Sequence, residues 1–284
     1  MGGEMDVTTE NFGVRLGVTP LGFPIENLTG ALQFRPAGGP IQITVSRDPV
    51  GDTLLSYAGV RDPGSGQLWG GVVANGASVL GSWGSAASGF YTGLGYQYLT
   101  GRGVADNRRV DGDVGSYWKI WTQPSGSLTI GLNLSGMHYD KNLRYFTLGQ
   151  GGYFSPQSYF LFNVPVTWKG TYRQFEYSVV ASLGSQYFEE DSTPYFPLQF
   201  YNRHYYPSQI STGANYSLDM KGAYRLGDNW VLGGFLDFNN TLNYASQTVG
   251  FFLRYQEHPY SPGSGPSGRD IPDWKAMRPL ILPY

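Results

Sequence analysis

Phe160-Leu161-Phe162-Asn163-Val164-Pro165-Val166-Thr167-Trp168 is the stretch whose reading decides the fold. Phe160, Phe162, Val164, Val166 and Trp168 take every second position, with Leu161, Asn163, Pro165 and Thr167 between them. Successive side chains of a strand point to opposite faces, so one face is oil and the other mostly polar. The same period runs outward from about Phe12 to Tyr255, and helical periodicity is nearly absent. Leu128, Ile130, Leu132 and Leu134 alternate with Thr129, Gly131, Asn133 and Ser135; Phe175, Tyr177, Val179, Ala181, Leu183 and Tyr187 oppose Glu176, Ser178, Ser182, Gly184 and Gln186. Further strands are expected over 12–18, 28–35, 41–46, 90–99, 114–122, 211–226, 230–238 and 248–255, bringing the countable total to about fourteen. Gly and Pro between Pro20 and Gly89 blur the count there.

Composition removes several function classes. The 284 residues hold 16% aromatics against 14% charged residues, too aromatic for a disordered chain. With no cysteine, neither a disulfide framework nor a thiolate metal site can form. Lys plus Arg number 19 and Asp plus Glu 21, so no basic field exists to hold nucleic acid. The longest apolar runs resemble Val72-Val73-Ala74, far short of the roughly 20 residues of a membrane helix. Met1-Gly2-Gly3-Glu4-Met5-Asp6 has an acidic start with no apolar segment behind it, so no signal peptide is expected in these residues. The expectation is a cytoplasmic protein or a piece of a longer one.

The connections separate barrel from sandwich. Short turns are expected at 123–126, 169–171 and 226–229, and long polar connections at 101–112, 137–157 and 188–209. Short on one side and long on the other is how outer-membrane barrels are built; a soluble sandwich is the rival. Phe175 and Tyr177 open one strand face and Tyr187 closes it, with small aliphatics between, as in an apolar band flanked by aromatic girdles. Asn133, Asn163, Glu176, Gln186, Asn215, Ser217, Asp219 and Arg254 on the opposite face suit a wet interior.

Thr248-Val249-Gly250-Phe251-Phe252-Leu253-Arg254-Tyr255 looks like the terminal-strand signal read by bacterial barrel-assembly machinery, with any Gly-containing amphipathic strand as the bland alternative. Such a signal normally ends a chain, whereas residues 256–284 follow it here. This Pro- and Gly-rich tail makes neither helix nor strand, and its 29 residues can span up to ~95 Å at roughly 3.3 Å each. It is expected either to dock in or under the lumen through Asp273, Trp274 and the terminal segment ending at Tyr284, or to be a linker stub.

Three blocks then carry a resemblance. They are Leu54-Leu55-Ser56-Tyr57-Ala58-Gly59 with Arg61-Asp62-Pro63 and Gly70-Gly71-Val72-Val73; Tyr98-Leu99-Thr100-Gly101 with Val104-Ala105-Asp106-Asn107; and Gly149-Gln150-Gly151-Gly152-Tyr153-Phe154-Ser155-Pro156-Gln157-Ser158-Tyr159. Together they resemble the C-terminal barrel of the cellulose synthase operon protein C family, over nearly the whole chain. The resemblance implies an all-β, transmembrane, antiparallel up-and-down barrel of sixteen strands in the outer membrane of a Gram-negative bacterium, exporting nascent β-1,4-glucan. In that family a periplasmic superhelix of tetratricopeptide repeats precedes the barrel and reaches toward the synthase. Residues 1–11 are thus expected to be a lead-in from that region or an added start, 12–255 the barrel, and 256–284 the tail. Periplasmic synthase components are expected to bind only through the repeats, which this chain does not contain.

A pore makes and breaks no bonds, so its chemistry is weak, repeated contact along a wet wall. By strand parity the glucan-contact candidates are Tyr117, Lys119, Trp121, Asn133, Tyr159, Asn163, Glu176, Gln186, Asn215, Asp219 and Arg254, with ordinary solvation as the plain alternative for each. Gln150, Tyr153, Phe154 and Pro156 are candidates for a gate over the outer mouth or for a packed rim support. The expected partners are the cellulose chain, outer-membrane lipids and the assembly machinery; no cofactor, no metal and no nucleic acid are expected. Three histidines, His138 and His204 in long loops and His258 in the tail, make a thin set for the rival reading, an outer-membrane enzyme acting on lipid or polysaccharide. Asp106, Asp111 and Asp113 lack the spacing of a calcium loop and read as solvated loop charges. A plugged structural barrel is the third reading.

Overall fold

The computed structural model describes residues 2–255 apart from 10, 37–38, 200, 202, 228 and 241–244. The alternating segments all become strands. In chain order they are β1 (Gly3–Thr8), β2 (Phe12–Val18), β3 (Leu28–Phe34), β4 (Ile41–Pro49), helix α1 (Leu54–Ala58), β5 (Val60–Arg61), β6 (Leu68–Gly84), β7 (Ser88–Arg102) and β8 (Asn107–Gln123). Then come β9 (Gly126–Tyr139), β10 (Ser158–Tyr172), β11 (Phe175–Glu190), β12 (Thr193–Pro194), β13 (Tyr205–Tyr206), β14 (Gln209–Arg225), β15 (Trp230–Asn239) and β16 (Ser246–Tyr255). One fourteen-stranded sheet runs β1-β2-β3-β4-β6-β7-β8-β9-β10-β11-β14-β15-β16, with β5 attached to β6 at the side and β12–β13 a separate hairpin. Each ladder is antiparallel to its neighbour, an up-and-down meander.

The two faces are inside out relative to a water-soluble domain. Asn133, Asn163, Thr167, Ser178, Ser182 and Asn215 are buried, while Leu134, Phe162, Trp168, Leu183, Tyr216 and Met220 on the other face are exposed. Water would drive the opposite arrangement, so a sandwich fails and a wall standing in lipid fits. The polar face is the concave one. Tyr91 on β7 reaches over β8 to bond Asn133 on β9 at 3.0 Å, and Arg15 on β2 reaches over β3 to pair with Asp48 on β4. Such strands stand about 9.6 Å apart at two inter-strand spacings, which side chains bridge only when the sheet curls toward them.

On the outer face, aromatic pairs cluster near the short turns: Trp83 with Phe90 at 5.1 Å, Trp168 with Tyr177 at 4.9 Å and Trp230 with Tyr255 at 5.1 Å. Phe160 and Tyr187 pair at 6.5 Å toward the long loops. These are the two belts expected from the spacing of Phe175 and Tyr187. Long connections at 50–67, 140–157 and 191–208 share one end of the sheet, and turns at 85–87, 124–125, 173–174 and 226–229 the other.

Several expectations change. The sheet begins before Phe12, because Gly3–Thr8 pair with β2 through Met5↔Leu16 and Val7↔Val14. No long loop spans 101–112: β7 continues to Arg102 and β8 starts at Asn107, so Asp111 and Asp113 belong to a strand rather than a solvated loop. His138 likewise lies in β9, not in a loop. Leu68–Gly84 is a 17-residue strand that its glycines and alanines conceal from period-two reading. Asp273, Trp274, Tyr284, His258 and the rest of 256–284 lie outside the described residues.

Candidate functional site

The site has two parts, a polar inner wall and a clasp of two connections over its loop end. The clasp begins with α1. Thr53 caps this one-turn helix, its side chain accepting from the Ser56 amide while Ser56 Oγ accepts from the Thr53 amide. Reciprocal capping satisfies orphan donors and lets so short a helix persist. Leu55 is then turned into a cluster with Val50, Trp69, Val72, Leu99, Met137, Tyr139, Leu143, Tyr153, Tyr159, Leu161 and Phe188, and Ala58 is buried as well. Each large apolar side chain withdrawn there contributes about 1.5–3 kcal/mol.

The connection 140–157 closes onto α1. Thr53 Oγ1 donates to the Gly152 carbonyl at 2.8 Å, and the Phe154 amide donates to Asp52 Oδ2 at 2.9 Å. Gly152 sits at φ +68°, and a Cβ there would lie 2.8 Å from Leu55, so the close approach requires glycine. Tyr153 is 1% exposed and its hydroxyl accepts from Asn107 Nδ2 at 3.1 Å. Loss of water pushes its phenol far above its ordinary pKa. Packing around the Asp52 carboxyl likewise pushes its pKa up, against the lowering effects of the Phe154 amide and Arg109, although the residue still reaches solvent. Phe154 stands edge-on to Phe188 at 5.2 Å and Tyr159 at 6.1 Å. Gln150 is fully buried and donates to the Pro194 carbonyl at 2.8 Å, tying in the connection 191–208; Pro156 accepts from the Tyr139 amide at 2.9 Å. The four gate candidates are therefore parts of one packed closure.

Below the clasp lie the wall candidates. Asn133, Tyr159, Asn163, Glu176, Gln186 and Asn215 are all buried on the inner face, and Asp219, half-buried beside Lys221 at 3.4 Å, shares it. Gln186 accepts from the Tyr159 hydroxyl at 3.4 Å. Tyr117 and Lys119 share the inward parity of Asp113 and Gly115, with the Tyr117 hydroxyl donating to the Ser85 carbonyl at 2.9 Å. Arg254 pairs across from Val231 at the turn end.

Trp121 is the exception. The β8–β9 register slips between Lys119 and Trp121, so Ile120 and Trp121 together match a single step on β9. One extra residue reverses facing from that point on. Trp121 is 41% exposed and joins Leu128, Val166, Trp168, Val179 and Ala181 around an apolar depression on the outer face. It is not a glucan-contact candidate. Parity reading also passed over Tyr91, Asn107 and Arg109. Arg109 is 1% exposed, pairs with Asp111 at 3.1 Å and lies over the Tyr139 ring at 5.7 Å. Its alternation with Asp111 and Asp113 was the available signal. Among the described residues no group of three or more His, Cys, Asp or Glu side chains is placed to hold a metal ion.

The model of the family Cellulose synthase operon protein C C-terminus matches residues 1–258. The cellulose synthase operon protein C of Xanthomonas axonopodis pv. citri (strain 306) is 36% identical over 273 residues, covering 86% of this chain and 18% of that protein. The protein of the same name from Pseudomonas fluorescens (strain SBW25) is 36% identical over 250 residues, covering 84% and 20%. That from Escherichia coli (strain K12) is 32% identical over 254 residues, covering 84% and 22%. The chain thus spans about a fifth of these relatives' length. Among solved structures, a bacterial polysaccharide outer membrane secretin aligns with a TM-score of 0.52 at 9% identity, covering 90% of this chain and 79% of that one; at that identity the likeness is one of fold. Family match and relatives agree with the fold, and the chain belongs to the cellulose synthase operon protein C C-terminal family.

Proposed function

We propose that this chain forms the wall of an outer-membrane pore through which nascent cellulose leaves a Gram-negative cell. The observation that carries the reading is the inverted sheet, with buried amides and hydroxyls on its concave face and bare apolar side chains on its convex one. Lipid covers the convex face, and the concave face gives an uncharged, hydroxyl-rich polymer many weak partners and no strong trap. The names of the relatives support the cargo. The long loops face the exterior, β16 carries the segment offered to the assembly machinery, and synthase components dock elsewhere on the whole protein. No bond-making step is assigned to the chain, which acts as a conduit rather than an enzyme.

The clasp of α1 with 140–157 is the outer gate. Replacing both Tyr153 and Phe154 by Ala removes the rings that fill it and is expected to raise leakage of small dyes across the outer membrane several-fold, with cellulose export retained. Unchanged leakage in a folded variant assigns the loop to rim support. A second reading, a plugged structural barrel, draws on the same packed closure; export that continues normally without the chain would favour it.

A further inference from the structure

Tyr91↔Gly115, Gly115↔Asn133, Asn133↔Asn163, Asn163↔Gly184 and Gly184↔Asn215 are direct cross-strand partners on β7 through β14. Partners in register share a face, so three asparagines and one tyrosine stand in a single row across the concave wall, Asn133 beside Asn163 and the only other members Gly115 and Gly184. The glycines shape the row. A Cβ on Gly115 would fall 2.3 Å from the Tyr91 ring, so its absence lets that ring lie along the row and its hydroxyl donate to Asn133 Oδ1 at 3.0 Å. Asn133 Nδ2 in turn donates to Ser135 at 2.9 Å, which fixes the first amide.

The next amide is different. Asn163 is 4% exposed, and its Oδ1 has no hydrogen-bond partner; the hydroxyl of Ser182, 6% exposed on the neighbouring strand, has none either. Buried acceptors are normally satisfied, and two orphans on adjacent strands of one face, Ser182 lying two residues from Gly184, the partner of Asn163, mark where a ligand's donors belong. The row itself bears no formal charge. The nearest inward charges along its own strands are Asp113, two residues from Gly115, then Asp111 and Lys119, four from Gly115, and Asp219, four from Asn215. An amide presents donor and acceptor together, the complement of a hydroxyl, which does the same, and no member of the row supplies a charge to an ion.

We infer that this row, with Ser182 next to it two residues from Gly184, is the polyol-reading collar of the pore, with Asn163 and Ser182 accepting hydrogen bonds from the hydroxyls of a neutral glucan and Tyr91 holding the adjoining amide in place. The inference rests on the export reading and adds to it the place where the polymer is recognised.

Titration calorimetry of the detergent-solubilised full-length protein with cellohexaose tests it, with heat-modifiable gel mobility verifying each variant's fold. Asn163→Leu, which removes the acceptor at similar size, is expected to weaken binding at least ~10-fold, and Ser182→Ala about 3- to 10-fold. Asn163→Asp keeps acceptor oxygens and is expected to stay within about 3-fold of the parent. If the parent binds and folded Asn163→Leu binds equally well, the collar is wrong while export stands. Equal loss in folded Asn163→Leu and Asn163→Asp also overturns the collar, because the acceptor is then not what matters. A parent that binds no cellohexaose overturns the collar, whereas the export reading, which asks only for weak repeated contact, falls if cells lacking the chain export cellulose normally.

Discussion

A single Cβ at position 152 would strike Leu55 while forcing a side chain into the left-handed region, so Gly152→Ala should spring the clasp from both causes at once. Strain of this kind costs about 1–3 kcal/mol, enough to raise protease nicking within 140–157 roughly 5- to 150-fold while the sheet stays intact. Asp52 sets a pH dependence. Its folded pKa lies above the ordinary 3.8, so the closed clasp holds the carboxyl proton more tightly than the open one. The resulting stabilisation is complete below about pH 4 and is lost as pH rises through the raised value. Asn at this position keeps an acceptor for the Phe154 amide without the charge. Asp52→Asn should therefore make loop protection independent of pH between about 4 and 8, where the parent loosens with rising pH; parallel pH profiles would contradict this. Individual lumen residues such as Asn133, Asn163 and Asn215 were legible from parity, because a buried polar face needs only a period of two to be seen. Tyr91 was not, since its role depends on the missing Cβ of Gly115 on the next strand.

At the scale of elements, regular strands could be read from sequence and their irregularities could not. β9, β10 and β11 follow the alternation residue by residue. The slip after Lys119 leaves no mark in a stretch where Tyr117, Trp118, Ile120 and Trp121 are bulky on both faces, and it sent Trp121 to the wrong side. This predicts a contrast between two deletions. Removing Ile120 takes out the extra residue and leaves Lys119 inward and Trp121 outward, so the barrel should still fold and shift on heating in gels. Removing Ile130 from β9 turns half a strand inside out and should abolish that folded band. Equal behaviour of the two would deny the bulge. α1 escaped notice because one capped turn has no periodicity to detect. Yet the blocks that carried the family resemblance converge on it: Leu55 meets Gly152, Ala105 donates to the Gly149 carbonyl at 2.9 Å, and Asn107 holds Tyr153. What looked like separate motifs is one closure seen in pieces.

For the molecule as a whole, direction decides how the wall closes. Alternation along the thirteen-membered meander leaves β1 and β16 both running from loop end to turn end, so they are not antiparallel partners for each other. Among the described residues these two edges therefore do not pair, and antiparallel closure calls for an odd number of further strands between them. The central claim is that the concave polar face is the path of a neutral glucan and that the clasp shuts it. Single-channel recording of the full-length protein in planar bilayers, parent beside the Tyr153→Ala/Phe154→Ala variant, with and without cellohexaose on the turn side, tests this most directly. The account predicts a mostly closed parent and an open variant whose current is interrupted by brief, concentration-dependent blocks when cellohexaose is added. A variant that stays silent, or that conducts without any response to the glucan, would contradict it.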